Sequence, residues 1–232
     1  MNADLELALQ LAHAADAVTM KHFASPFLSV RTKADRTPVS AADEEVERMI
    51  RDTLAKERPN DAIVGEEFGS AEGERRWIID PIDATNNYIR GIPVFATLIA
   101  LENEVGVVSA PALQRRWYAA RGEGAFCNGR RMQVSKIAAI EQATLAFDDA
   151  NVSDAAIAFF RRFGRCRGFG DFWGHMLVAE GAVEVCYEPK VALWDVAPMQ
   201  IILEEAGGRF TFDPRAISSN GLLHDEACEA LR

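Results

Sequence analysis

The sequence predicts an α+β fold in which an antiparallel-sheet half, residues 1–140, packs against an α/β half, residues 141–232, with a boundary near 135–145. Three observations carry that reading. Two helical stretches open the chain. Four short apolar runs between Val94 and Cys127 then follow one another with turn residues between them, as in an antiparallel sheet. From about Thr144 strand-like and helix-like segments alternate, as in an α/β layer.

The first stretch, residues 1–23, spaces Leu5, Leu9, Ala12 and Val18 and carries Asp4, Glu6 and Asp16, which suits an amphipathic helix rather than a signal peptide. Residues 33–39 are polar and read as a loop. Ser40 is a good N-cap for a helix to about Arg58, with Asp43 in its first turn. Pro59, Asn60 and Asp61 break that helix, residues 62–64 form a short strand ending at Gly65, Glu66 and Glu67, and residues 76–79 form another, closed by an aspartate turn. A short helix over 85–90 stops at Gly91 and Pro93. Strands are expected at 94–101, 106–110, 116–120 and 124–127. The second half reads as a strand at 145–147, a helix through Phe159, a strand near Cys166, a helix over 171–180 and a strand at 183–187. A strongly apolar helix over 195–206 follows, ended by Gly207 and Gly208, and then a strand at 209–212.

Composition narrows the function. With 49% apolar and 26% charged residues over 232 positions, no repeat and no low-complexity tract, the chain is an ordinary globular protein whose function must reside in a site. The net charge of −10 and the absence of any basic run longer than Arg115–Arg116 or Arg130–Arg131 argue against a nucleic-acid partner. No apolar run approaches the roughly 18 residues of a membrane span, so no membrane partner is expected. Cys127, Cys166, Cys186 and Cys228 form no CxxC pair, and the four histidines show no HExxH spacing, so zinc and disulfide chemistry are not indicated. The expected location is cytoplasmic.

Carboxylates, in contrast, recur where strands end and helices begin: Asp43, Glu66, Asp80 with Asp83, and Asp195. Each alone is explained by capping or a solvated turn; together they describe an oxygen-rich pocket for a hard cation such as Mg²⁺. Asp80 and Asp83 stand three apart across Pro81 and cannot both lie on a regular strand, whereas a turn can aim both at one point. With Glu66 they suit a pair of Mg²⁺ ions working on an in-line displacement at phosphorus. Thr85 adds a hydroxyl, the Ala84 and Thr85 amides open a helix that can bind phosphate oxygens, and Asp43 is suited to polarise Thr85 and orient water.

The order Gly65–Glu66–Glu67, Trp77 to Thr85 with Tyr88, Trp194–Asp195–Val196–Ala197 and Glu205–Ala206–Gly207–Gly208 resembles the inositol monophosphatase family of Mg²⁺-dependent, lithium-sensitive phosphatases over most of the chain. The resemblance implies a layered αβαβα sandwich of the sugar-phosphatase type, with the site at the junction of the halves, and a homodimer. It implies two or three Mg²⁺ ions held by Glu66, Asp80, the Ile82 carbonyl, Asp83 and Asp195. Asp43, Thr85 and Glu66 are then catalytic, and Ala84 and Thr85 bind phosphate. Within the family, residues 88–101, 169–173 and 219–224 are most similar to the histidinol-phosphatase branch, which implies hydrolysis of L-histidinol phosphate to L-histidinol in histidine biosynthesis, with inositol 1-phosphate as the runner-up substrate. Glu188, seven residues before Asp195, falls where the family contacts substrate hydroxyls or amines, and a carboxylate there suits a cationic amine. Asp171 is placed to help it, or to cap the helix that follows. Lys33 and Asp35 lie on the loop that closes over the metals in this family, and a plain solvated loop explains them equally.

The chain departs from the family in two places. Ala84 replaces the usual glycine: at negative φ alanine keeps its amide donor at little cost, while at positive φ its Cβ costs about 1–2 kcal/mol and tilts the phosphate cradle. The second outcome makes a non-catalytic phospho-ligand-binding homologue the rival reading. Residues 211–215 also pass almost directly to Ile217, as if a loop had been lost, which predicts altered substrate access or oligomer contacts without loss of chemistry.

Overall fold

The computed structural model describes residues 2–25, 27–33, 37–70, 73, 75–148 and 152–231. Asp35, expected on the loop over the metals, lies outside them. Helices α1 (Ala3–His22) and α2 (Ala41–Glu57) cover one face of a large sheet. Asn2 caps α1 by accepting from the Asp4 amide at 2.9 Å, and Ser40 caps α2 through a reciprocal pair with Asp43.

The large sheet has eight strands: β3 (Ala62–Gly65), β4 (Gly69–Ser70), β5 (Arg76–Asp83), β6 (Ala96–Leu101), β7 (Val105–Ala110), β8 (Arg115–Ala120), β9 (Gly124–Cys127) and β10 (Arg130–Arg131), in the order β10-β9-β8-β7-β6-β5-β3-β4. Every pairing is antiparallel except β3 with β5. Alternation decides which helices each strand meets. Ile79, Ile99, Leu101, Val105 and Val107 pack with Leu11 and Ile50 of α1 and α2. Leu98, Val108 and Trp117 face the opposite way, onto α5 (Asp171–Ala179) and α6 (Leu193–Glu205). Because both faces are covered, β6 and β7 are buried at every position and read as near-continuous apolar runs, interrupted by Thr97 and Ser109. Gly106 permits the close approach of α6: a Cβ there would stand 2.4 Å from the Pro198 carbonyl oxygen.

Beyond α5 and α6 lies a five-stranded sheet of β11 (Thr144–Phe147), β12 (Arg165–Arg167), β13 (Val185–Glu188), β14 (Arg209–Phe212) and β15 (Ala216–Ser219), ordered β12-β11-β13-β15-β14. Strand β11 runs parallel to β12 and β13, and the other pairings are antiparallel. Helices α4 (Asp154–Phe160) and α7 (His224–Ala230) close its outer face through Phe159, Phe160 and Ala227. The five layers are therefore the αβαβα sandwich that the resemblance implied.

Two local expectations need correction. The loop at 33–39 is partly a strand: β2 (Pro38–Ser40) pairs with β1 (Val30–Thr32), and Val39 is buried. Strand β5 does not stop at Ile79 but continues to Asp83, its register against β6 shifting between Asp80 and Asp83. The irregularity does the work assigned to a closing turn. Where a loop was read as lost, β14 and β15 form a tight antiparallel pair; β15 and α7 were not anticipated as elements. Among the described residues no helix is long and apolar enough to cross a membrane.

Candidate metal and phosphate site

The end of β5 and the start of α6 build the site together. Asp80 Oδ1 accepts the Ile82 amide at 2.9 Å, which stabilises the irregular end of the strand. Asp83 Oδ2 accepts the Phe172 amide at 2.8 Å, and Asp195 Oδ2 accepts the Ala192 amide at 2.7 Å, closing the first turn of α6. Each carboxylate is thus fixed through a backbone donor. One ligand oxygen from each of Asp80, Asp83 and Asp195 lies within 4.8 Å of the others.

These three line a cavity of about 330 Å³ together with Glu66, Ile82, Ala84, Thr85 and Asp171. Asp43 and Glu188 are not among its lining residues. Asp43 is fully buried behind it, and Glu188, 5% exposed, backs onto His175 of α5. A larger cavity of about 520 Å³ lies elsewhere, bordered by Arg115, Arg130, Arg131 and Glu180; it gathers no comparable carboxylates, and the chemistry belongs to the smaller one.

Burial and mutual repulsion make this an acidic field that calls for a cation. Burial raises Asp80 well above its ordinary range, and the charges of Glu66, Asp83 and Asp195 add to the effect. Burial does the same to Asp83, reinforced by Asp171, Asp195 and Glu188 and opposed by the Phe172 amide. Asp195 is pushed up to about 7 by burial, with the Ala192 amide opposing and Glu66 and Glu188 adding. Asp171 also reaches about 7 through burial and the charges of Asp148, Glu188 and Asp195.

Asp43 is raised to about 6, chiefly by burial, while hydrogen bonds from Ser40 oppose the shift. Its Oδ2 receives the Ser40 amide at 2.8 Å and the Ser40 hydroxyl at 2.5 Å, whereas its Oδ1 is buried without a hydrogen-bond partner among the described residues. Thr85 Oγ1 donates to the Ile82 carbonyl at 3.0 Å, and among the described residues no hydrogen bond joins Thr85 to Asp43. Glu66 reaches Lys33, whose Nζ lies 2.6 Å from Glu66 Oε1 and 2.7 Å from Glu67 Oε1.

Ala84 adopts φ 64° and ψ 44°, the left-handed conformation that glycine takes without strain. It immediately precedes α3 (Thr85–Ile89). Asp171 is also left-handed at φ 52°, and α5 has no side-chain cap of its own, so the capping role open to Asp171 falls instead to Asp83.

Sequence reasoning missed several contributors. Asp148 lines the cavity beside Asn86, Asn87, Thr37 and Pro38. Glu47 is fully buried on α2 and accepts the Glu67 amide at 2.8 Å and the Phe68 amide at 3.1 Å, holding the turn that presents Glu66. Gly65 is what lets Glu47 in, since a Cβ there would come within 2.0 Å of Glu47 Oε1. One signal was available: Glu47 stands four residues after Asp43, on the same face of α2. The clustered oxygens, their raised pKa values and the orphaned Asp43 Oδ1 all fit a divalent cation, with hard oxygen donors throughout.

Residues 2–216 match the model of the inositol monophosphatase family. A histidinol-phosphatase of Streptomyces coelicolor is 47% identical, with 96% of this chain and 94% of that protein aligned, and one of Mycobacterium tuberculosis is 45% identical over 98% and 97%. Among solved structures, an extragenic suppressor protein of Bartonella henselae superposes with a TM-score of 0.91 at 28% identity, covering 100% of this chain and 99% of that one. The IMPase of Thermotoga maritima does so at 0.89 and 32%, covering 99% and 97%.

Proposed function

The chain belongs to the inositol monophosphatase family, and from that premise we propose that it is a Mg²⁺-dependent phosphoric monoester hydrolase acting on L-histidinol phosphate, which water converts to L-histidinol and inorganic phosphate. The observation that carries the substrate choice is the make-up of the cavity. Beyond Asp80, Asp83 and Asp195 it is lined by Asp148 and Asp171, and by no lysine or arginine among the described residues. Carboxylates there suit an ammonium group on the substrate and give a second phosphate nothing to bind. The names of the Streptomyces and Mycobacterium relatives support the same substrate.

In this reading Glu66, Asp80, Asp83, Asp195 and the Ile82 carbonyl hold two or three Mg²⁺ ions. Bound there, Mg²⁺ supplies Lewis-acid polarisation of the phosphate and a more acidic water. The water oxygen bonds to phosphorus as the ester P–O bond breaks, with no covalent link to the protein, and the alcohol leaves with a proton drawn from solvent. The buried Oδ1 of Asp43, unpartnered among the described residues, supports a role in polarising Thr85 and taking up that water's proton through the Thr85 hydroxyl, which lines the cavity and orients the water. The Ala84 and Thr85 amides receive phosphate oxygens at the first turn of α3, and Asp171 and Glu188 take the cationic amine. The two halves of the chain, divided near 135–145, each contribute ligands, and a cytoplasmic homodimer completes the proposal.

Phosphate release from histidinol phosphate, inositol 1-phosphate, fructose 1,6-bisphosphate and adenosine 3′,5′-bisphosphate, with and without Mg²⁺, tests it. Fast turnover of histidinol phosphate alone is expected; preference for another ester would keep the mechanism and discard the substrate. The left-handed Ala84 favours one second reading, a phospho-ligand-binding protein without turnover. Silence on every ester with Mg²⁺ still bound would select it.

A further inference from the structure

His175 of α5 is completely buried, yet among the described residues its Nε2 has no hydrogen-bond partner. Oε1 of Glu188 on β13 lacks one as well, and the two atoms stand 3.4 Å apart. The other ring nitrogen is anchored, with Nδ1 2.8 Å from Ser218 Oγ on β15. Phe210 packs against the ring edge-on, with centroids 5.9 Å apart at 71°, restricting its rotation. Two buried polar groups facing each other at this distance are costly to leave unpaired, and a slight turn of either side chain joins them.

The Ser218 hydroxyl decides the polarity. If it donates to Nδ1, the single proton of a neutral imidazole sits on Nε2 and points at the carboxylate; the other tautomer would set a bare lone pair against Glu188 Oε1. An Nε2–H donor at this position fixes the direction of the Glu188 carboxylate with a single directed hydrogen bond. Cys186, whose Sγ lies within 4.8 Å of the same groups, does not interfere, because burial keeps it a thiol. The charge of Glu188 is felt by Asp83, Asp171 and Asp195, so its carboxylate belongs to the field of the cavity although it does not line it.

We propose that Ser218, His175 and Glu188 form a hydrogen-bonded line that holds the Glu188 carboxylate oriented toward the substrate's cationic group, making His175 a positioning residue for the choice of cationic over neutral phosphate esters. The inference rests on the reading of Glu188 as a substrate contact. It is tested with Ser218→Ala, His175→Phe and His175→Gln, the last keeping a donor near the Nε2 position, by measuring kcat and KM on histidinol phosphate and inositol 1-phosphate. Ser218→Ala and His175→Phe are expected to raise KM for histidinol phosphate roughly ten-fold, the scale of one hydrogen bond to a charged group, with a much smaller rise for inositol 1-phosphate, whose hydroxyls carry no charge. His175→Gln is expected to recover most of the loss. An equal loss on both esters would mean a structural role and overturn the proposal.

Nitrogen chemical shifts of the His175 ring give a readout without substrate, and Ser218→Ala keeps it available if His175→Phe fails to fold. A neutral ring protonated at Nε2 is expected, and protonation at Nδ1 would overturn the line. A thiolate charge-transfer band on adding Co²⁺, lost in Cys186→Ser, would also overturn it by showing that a cation bridges the three groups. If neither ester is hydrolysed, the substrate reading fails while the ring nitrogens still decide the hydrogen-bonded line.

Discussion

The Phe172 amide donates to Asp83 Oδ2 at 2.8 Å, so a carboxylate at the end of β5 caps a helix 89 residues further along the chain. Asp83 therefore has a structural oxygen and an oxygen left for a cation. Asp83→Asn keeps a carbonyl acceptor for the amide and removes the charge, so phosphate release should fall by at least roughly 100-fold, beyond the range seen when a residue supporting a metal ligand is lost. Asp83→Ala should lose the cap too, costing about 1 kcal/mol more in urea unfolding. Equal unfolding midpoints for the two variants would contradict the capping role.

Proton uptake links stability to the metal. Asp43 at about 6, and Asp171, Asp195 and Glu67 at about 7, stand above their ordinary values of 3.8 for aspartate and 4.5 for glutamate because burial disfavours the charged form. Between the ordinary and the raised value the folded chain binds more protons than the unfolded one. This set therefore stabilises most fully below its ordinary values, and the contribution is lost as pH rises through the raised ones. Metal-free protein should melt higher at about pH 5.5 than at about pH 8, and Mg²⁺ should raise the melting temperature most at the higher pH, where its ligands need not release protons. Thermal scans in chelator and in Mg²⁺ check both; a melting temperature indifferent to pH without metal would refute the account.

Gly65→Ala drives a methyl group into Glu47, whose carboxylate holds the turn that presents Glu66. A loss of about 1–3 kcal/mol in chemical unfolding is expected, as for other overpacked sites, together with weaker Mg²⁺ activation. Unchanged activation would separate Glu47 from the site.

Ala84→Gly removes the left-handed Cβ strain but loosens the unfolded chain, so the two effects nearly offset and stability should change by less than about 1 kcal/mol. Turnover should rise only modestly if the amides are already well placed. A gain of orders of magnitude would show that alanine had disabled the site.

Much of this arrangement was readable from local signals. The Ser40 cap, the Gly207 stop and the runs at Ile99 and Val107 each report a short-range rule, and the elements formed close to where they were expected. Pro81 marked an irregularity after Asp80, but the course of β5 beyond it was not readable, because whether a strand ends or shifts its register there depends on the partner strand. Strand β15 was missed because its serines look like a loop until His175 and His224 arrive to pair with them, at 2.8 and 2.9 Å. The sign of φ at Ala84 is likewise decided by how β5 meets α3. Asp148 gave no local signal, since only the packing of the second half brings it to the cavity.

Helix α6 carries Asp195 and lies between two sheets, and none of its residues is exposed. It has no side on which a substitution would go unnoticed. A saturation mutagenesis scan should therefore find α6 intolerant through every turn, whereas α4 and α7, each open to solvent along one edge, should accept change at Asp154, Ala155, Ala158, Asp225 and Glu229. Drift in this protein has room at the rim of the sandwich and little at its middle layer.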